Sequence, residues 1–314
     1  MRGKGVRSLF ALLLVAVVAA GCGGDDNAGN TSTTSQAASQ PGKGKPAITI
    51  GTKDFTEEFV LGQLYKQALE AQGYKVNLKS NIGATEITDK ALTSGKIDAY
   101  PEYTGETVAT TFGKNILTPS AEKTASMAKE LYAKRGQVVS NPTPFEDVDA
   151  IATTKKYAQQ HGLQSVPDLK KLGKFTLGAR PEFKSRFVGL KGMEKIYGIH
   201  SAQFKQLALG LQYKALDRGD VDTANVFSTD AQLASGKYQV LKDPKGVFGF
   251  QNILFVINKP KYEALGGPQF MAIINKVNAL LTEPAMRSMN SAVDIDKKEP
   301  ADVAKAFLAA NKLT

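Results

Sequence analysis

The 314-residue chain says the same thing twice, about 125 residues apart. The first copy reads Ile48-Thr49-Ile50-Gly51-Thr52-Lys53 and then Ala91-Leu92-Thr93-Ser94-Gly95-Lys96-Ile97-Asp98. The second reads Phe175-Thr176-Leu177-Gly178-Ala179-Arg180 and then Ala215-Leu216-Asp217-Arg218-Gly219-Asp220-Val221-Asp222. Each copy sets a basic residue just past an apolar strand and an A-L-x-x-G-x-[I/V]-D element about forty residues later. A-L-x-x-G suits the end of a helix, where glycine takes the left-handed conformation without steric cost. A short strand then starts at Ile97 or Val221. Open α/β sheets hold ligands beyond the carboxyl ends of their strands. The polar loops expected there, Tyr100 to Gly105 and Ala224 to Asp230, are therefore predicted to line one cleft between two similar lobes.

At the N-terminus, Arg2, Lys4 and Arg7 precede the apolar run Leu9 to Ala20, which has the proportions of a signal-peptide core and is short for a bilayer span. Residues 1–21 read as an export signal. Ala19-Ala20-Gly21-Cys22 resembles the lipobox of bacterial lipoproteins, which makes Cys22 the expected lipidation site and the body a membrane-anchored, extracytoplasmic one. Cys22 is the only cysteine, so it has no intramolecular disulfide partner. Durable anchoring needs more than one acyl chain. Residues 22–46, rich in Gly, Ser, Thr, Asn and Gln, read as a flexible tether. The formal charge of +10 falls to about +7 without the three basic residues of the signal. The remaining Lys and Arg are scattered, and the chain is exported, so nucleic acid is not an expected partner.

From residue 47 on, strand and helix patterns alternate, which predicts a largely parallel sheet with helices on both faces. Glu57 to Gln72 carries a helical stripe of Phe59, Val60, Leu61, Leu64, Ala68 and Leu69. Amphipathic segments at about 268–281, 283–290 and 300–311 are expected to pack on the first lobe. That makes the first lobe discontinuous, 47–147 plus 250–314, and the second 148–249. Segments near 145–152 and 245–252 would be the two crossovers of a hinge.

Gly51-Thr52-Lys53-Asp54-Phe55-Thr56-Glu57, Asn81-Ile82-Gly83-Ala84-Thr85 and Ile97-Asp98-Ala99-Tyr100-Pro101-Glu102-Tyr103-Thr104-Gly105 resemble the substrate-binding proteins of osmoprotectant ABC importers. The resemblance continues through Gly210 to Leu216 and Ser228-Thr229-Asp230. It implies an α/β, type II periplasmic binding protein fold, two lobes with two crossovers, closing on glycine betaine, choline, carnitine or another quaternary amine. It also implies an ABC permease as partner, a monomer, and no cofactor. By position it implies that Lys53 and Thr85 hold a ligand carboxylate, with Asp54 and Phe55 in the same motif. Tyr100 and Tyr213 match cage tyrosines, and Asp98 sits where a main-chain carbonyl meets the cation. Tyr103, Phe187 and Asp230 are placed near the cleft by their loops, and Arg186 resembles an arginine at the mouth of the second lobe.

Three departures bear on the ligand. Ile82 stands where many relatives carry a cage aromatic. Phe145-Glu146-Asp147-Val148-Asp149-Ala150-Ile151 replaces an amide-rich and tyrosine-bearing strand with an acidic one, and Arg186-Phe187-Val188-Gly189 replaces R-P-D-G. An amino acid, polyamine or other small zwitterion with donor hydrogens is thus a competing ligand class. An enzyme is a weaker competitor. His161 and His200 lie in polar stretches, there is no G-x-S-x-G elbow or P-loop, and no metal-spaced cluster appears.

Overall fold

The computed structural model describes residues 40–314; the expected export signal, Cys22 and most of the expected tether lie outside them. Ten strands are present among these residues: β1 (Ile48–Gly51), β2 (Val76–Lys79), β3 (Ala99–Tyr103), β4 (Gln137–Val139), β5 (Asp149–Thr154), β6 (Phe175–Ala179), β7 (Ala202–Gln206), β8 (Thr223–Phe227), β9 (Tyr238–Leu241) and β10 (Ile253–Asn258). They form two five-stranded sheets, ordered β2-β1-β3-β10-β4 and β7-β6-β8-β5-β9. Position for position the two orders match, as the duplicated sequence requires.

The expected largely parallel sheet needs correction. β1 runs parallel to β2 and β3, and β6 to β7 and β8. However, β10 is antiparallel to both its neighbours, and so is β5. The cause is connectivity. Each of these strands leaves a crossing segment at the carboxyl end of the parallel strands, so Ile253 starts opposite Tyr103 and Asp149 starts opposite Phe227. The two crossing segments touch one another through an antiparallel bridge between Glu146 and Asn252.

The repeated A-L-x-x-G-x-[I/V]-D element is a strand clamp. Gly95 and Gly219 adopt φ of +73° and +70°, the left-handed turn that glycine allows. The aspartate that follows accepts the backbone N–H of the first strand: Asp98 Oδ2 from Thr49 at 2.7 Å, and Asp222 Oδ2 from Thr176 at 2.7 Å. Just beyond, Gly51 and Gly178 let the strand lie against the apolar residue before each aspartate. A Cβ there would stand 2.6 Å from Ile97 Cδ1 in one copy and 3.0 Å from Val221 Cγ1 in the other.

Helix Thr56–Ala71 turns Val60, Leu61, Leu64, Ala68 and Leu69 into the core of the first sheet. The C-terminal helices Pro268–Leu280, Glu283–Asp294 and Pro300–Ala310 add Phe270, Ile274, Met286 and Leu308 to that same core. A separate core beneath the second sheet gathers Leu169, Phe175, Leu177, Phe183 and Met193. The tether expected to reach residue 46 is packed sooner: 41–44 form a turn, and the Gly42 N–H bonds the Gln72 carbonyl at 2.9 Å.

Candidate ligand cleft

The carboxyl ends of β1, β3, β6 and β8 converge on a chamber with about 430 Å³ of space, part of it open solvent. Lys53, two residues past β1, is 3 % exposed. Its ammonium pairs with Glu102 on β3, donates to Thr85 Oγ1 at 3.1 Å, and lies 4.4 Å from the centre of the Tyr103 ring. Arg180, which answers to Lys53 in the repeat and stands one residue past β6, donates to both oxygens of Asp149 at 2.6 and 2.8 Å and to Asn225 Oδ1 at 2.5 Å. Its guanidinium carbon lies 5.0 Å from the centre of the Phe227 ring. Each copy thus sets a buried cation against a carboxylate and over an aromatic ring, and the pairing offsets the large cost of taking a lone charge out of water.

Two further elements complete this chamber. Phe55 stacks on both Tyr103, with centroids 6.1 Å apart at 28°, and Phe227, 5.2 Å apart at 18°. Arg186 reaches from the second lobe to Glu86 at 2.7 Å and Glu106 at 3.2 Å in the first. Neither carboxylate oxygen of Glu106 accepts a hydrogen bond of ordinary geometry.

Beyond Phe55 and Phe227 lies a second chamber with about 950 Å³ of space, part of it open solvent. The two chambers share Asp54, Phe55, Asp147, Leu209 and Phe227 as wall. At its base the Thr229 hydroxyl stands 2.7 Å from Glu57 Oε2 and 2.8 Å from Asp147 Oδ1. One hydroxyl proton cannot serve two carboxylates, so one acid of the pair carries a proton. Glu57 also accepts from the Tyr103 hydroxyl at 2.9 Å and from Asn290 Nδ2 at 3.1 Å. Burial nonetheless pushes Glu57 up to about 7. Burial, with Glu57 alongside, holds Asp147 well above the usual carboxylate range. Asp230 is pushed up to about 6 by burial, against the pull of the Phe227 amide and the Tyr213 hydroxyl.

The structure brings Lys53, Asp54, Phe55, Thr85, Tyr103 and Arg186 to the first chamber and Asp230 to the second. It does not bring Asp98, Tyr100, Phe187 or Tyr213 to either wall. Tyr100-Pro101-Glu102-Tyr103, expected as a loop, is strand β3, and the pleat sends Tyr100 and Tyr103 to opposite faces. Tyr100 packs behind the cleft with Tyr132, and its hydroxyl donates to Glu102 at 3.1 Å, steadying the partner of Lys53. The carbonyl of Asp98, expected at a cation, already accepts the Asn258 N–H at 3.0 Å. The Phe187 ring faces the Lys195 ammonium at 5.5 Å. Tyr213 holds Asp230 from behind at 2.7 Å. Absent from the sequence-derived site are Arg180, Asp147, Asp149, Glu106 and Phe227, all on the first chamber's wall. The repeat itself carries the signal for two of them: Arg180 answers to Lys53, and Phe227 stands five residues after Asp222 as Tyr103 does after Asp98.

Among the described residues, no group of three or more His, Cys, Asp or Glu side chains is arranged to hold a metal ion. No helix there is long and apolar enough to cross a membrane. Residues 46–310 match the family model described as the substrate binding domain of ABC-type glycine betaine transport system. A glycine-betaine-binding protein of Pseudomonas aeruginosa is 32 % identical over 280 residues, covering 85 % of this chain and 88 % of that protein. An ergothioneine transport permease/ergothioneine binding protein of Helicobacter pylori is 30 % identical over 267 residues, 84 % of this chain and 47 % of that protein. A solved structure titled as a glycine betaine/carnitine/choline ABC transporter superposes with a TM-score of 0.68 at 25 % identity, covering 85 % of this chain and 99 % of that one.

Proposed function

The chain belongs to the family of substrate-binding domains of ABC-type glycine betaine transport systems, and on that premise we propose that its cleft captures a quaternary amine such as glycine betaine, choline or carnitine and hands it to a membrane permease. The family is one of solute capture, not of catalysis. The observation that carries the reading is a single chamber walled by the rings of Phe55, Tyr103 and Phe227 together with the buried cations Lys53, Arg180 and Arg186. A trimethylammonium group has no hydrogen to donate. Ring faces and carboxylates are what can favour it, each cation–π contact contributing about 0.5–2 kcal/mol. Lys53, Arg180 and Arg186 offer the complementary donors for a ligand carboxylate.

In this reading 47–147 plus 250–314 and 148–249 are the two moving bodies, and the crossing segments around Glu146 and Asn252 are the hinge. Ligand meets one lobe of the open cleft first. The Arg186 contacts to Glu86 and Glu106 join the two bodies, so they belong to the closed form alone, and ligand stabilises that form through the contacts it makes only there. Cys22, lipidated after removal of residues 1–21, would tether the body to the outer face of the cell membrane.

The test is calorimetric titration and thermal unfolding of the chain with glycine betaine, choline, carnitine and ergothioneine. A ligand at about 100 times its dissociation constant adds about 2.7 kcal/mol of stability. Phe227→Leu keeps bulk but removes the ring face, so it should weaken a quaternary amine by about 0.5–2 kcal/mol. No heat and no midpoint shift with any of the four ligands would overturn the proposal. The second reading, a zwitterion or polyamine with donor hydrogens, draws on the acids of the second chamber.

A further inference from the structure

We propose that the second chamber is a subsite for a primary ammonium or guanidinium group, so that the full ligand is an elongated zwitterion with an N–H-bearing cation beyond its quaternary head; the placement of the head rests on the reading above. Five carboxyl groups face this chamber: Asp54, Glu57, Asp147, Asp230 and Asp294. None of the five lies within ion-pair distance of a Lys, Arg or His among the described residues. The acids confined to the first chamber differ sharply. Asp149 and Glu182 are paired with Arg180, and Glu106 with Arg186. The one basic residue on the second chamber's wall, Lys297, spends its ammonium on the backbone carbonyl of Asp294 at 2.6 Å.

An independent observation points to a donor as well. Asn290, 4 % exposed and on this wall, has an amide oxygen that meets no donor, while its amide nitrogen is committed to Glu57 at 3.1 Å. Gln232 Oε1, on the same wall, is likewise without a donor. The hydroxyls at hand are already used: Thr56 donates to Asp294 at 2.6 Å, and Thr229 serves the Glu57 and Asp147 pair. The wall is therefore almost all acceptor. Buried acceptors without donors are rare and call for a missing partner. Phe55, Phe59 and Leu209 supply apolar surface for a methylene stem, and among the described residues no metal-holding cluster competes for the role. The raised affinity of Glu57, Asp147 and Asp230 for protons fits a chamber awaiting a cation.

The experiment uses the full chain and a matched pair of betaines, trimethyl-L-lysine and trimethyl-L-norleucine, both methylated on the α-nitrogen. Their heads are the same, and their tails end in an ammonium or a methyl. Glycine betaine and cadaverine serve as controls. The lysine compound should bind at least about ten-fold more tightly than the norleucine compound, the scale of one charge-assisted hydrogen bond. Asp294→Asn keeps an acceptor for Thr56 while removing charge. It should shrink that ratio several-fold and leave glycine betaine within about two-fold of its original affinity. An unchanged thermal midpoint would show that the variant is folded. Glycine betaine binding with a lysine-to-norleucine ratio at or below one, or a ratio indifferent to the substitution, would overturn the subsite alone. Cadaverine binding that weakens in Asp294→Asn, with no quaternary amine bound, would uphold the subsite and sink the quaternary reading. No binding of any probe would overturn both.

Discussion

Glu57→Gln should make the folded protein lose less stability as pH rises. The carboxyl is fully buried, and although Tyr103, Thr229 and Asn290 all donate to it, its proton affinity is raised from the ordinary 4.5 to about 7. The sign follows from linkage. Below pH 4.5 the group is protonated in both the folded and unfolded states and costs nothing. Between 4.5 and 7 the unfolded chain ionises first, so stability falls as pH rises, and above 7 the full penalty is present. A rise of that size corresponds to about 3 kcal/mol, or roughly 6–12 °C in midpoint for a protein of this length. Glutamine cannot ionise. The variant should match the parent near pH 4.5 and exceed it by about 3 kcal/mol near pH 8. Asp147 and Asp230 carry the same sign, and removing Glu57 also relieves Asp147, so the variant's profile flattens further. Glu86, held low by Arg186, carries the opposite sign and remains in both proteins. Differential scanning calorimetry of the ligand-free pair from pH 4.5 to 8.5 is the measurement. Parallel profiles would refute the reasoning, because they would mean that Glu57 ionises as easily inside the protein as in water.

Asp98→Ala and Asp222→Ala should each cost about 1.5–3 kcal/mol in urea unfolding by removing the charged acceptor of the Thr49 or Thr176 amide. The two losses should add, since the clamps sit in different sheets. If either substitution costs nothing, the repeated aspartate is not a clamp. Arg186→Gln unpairs Glu86 and Glu106 across the cleft, so the ligand-free protein should show a larger radius of gyration by small-angle scattering and release ligand faster. An unchanged radius together with unchanged release would remove Arg186 from closure.

The duplication was readable because each demand leaves a residue type that can be matched between the copies: a glycine that must turn left-handed, an aspartate that must reach one amide, a glycine that must let a strand lie close. The aspartate contacts span 49 and 46 residues of chain, yet both copies show the same residue types in the same order. The antiparallel strands were not readable in this way. β10 pairs with β3 across about 150 residues of chain, and nothing in Ile253 to Asn258 states which way its partners run. The separate placements of Tyr100 and Tyr103 were hidden for a different reason. In a strand, a shift of one residue exchanges the two faces, so treating Tyr100-Pro101-Glu102-Tyr103 as a loop removed the only rule that separates Tyr100, turned into the core with Tyr132, from Tyr103, turned to the chamber.

The same duplication also locates where the two halves were free to diverge. At the clamp positions Asp98 and Asp222 are identical, as a shared structural task demands. At the cleft positions the copies differ: Lys53 and Glu102 in one, Arg180, Asp149 and Asn225 in the other, with Tyr103 set against Phe227. Tyr103 alone of that aromatic pair carries a hydroxyl, and it spends it on Glu57, at the base of the acid chamber. A Tyr103→Phe exchange would therefore leave a ring on the first chamber while unseating a donor of the second, so it should weaken a ligand that spans both chambers more than one that fills the first. Binding constants for glycine betaine and for the lysine betaine, measured on this one variant, would show whether the chambers act as a unit. Equal losses for both ligands would mean that the hydroxyl serves the ring's position and nothing beyond it.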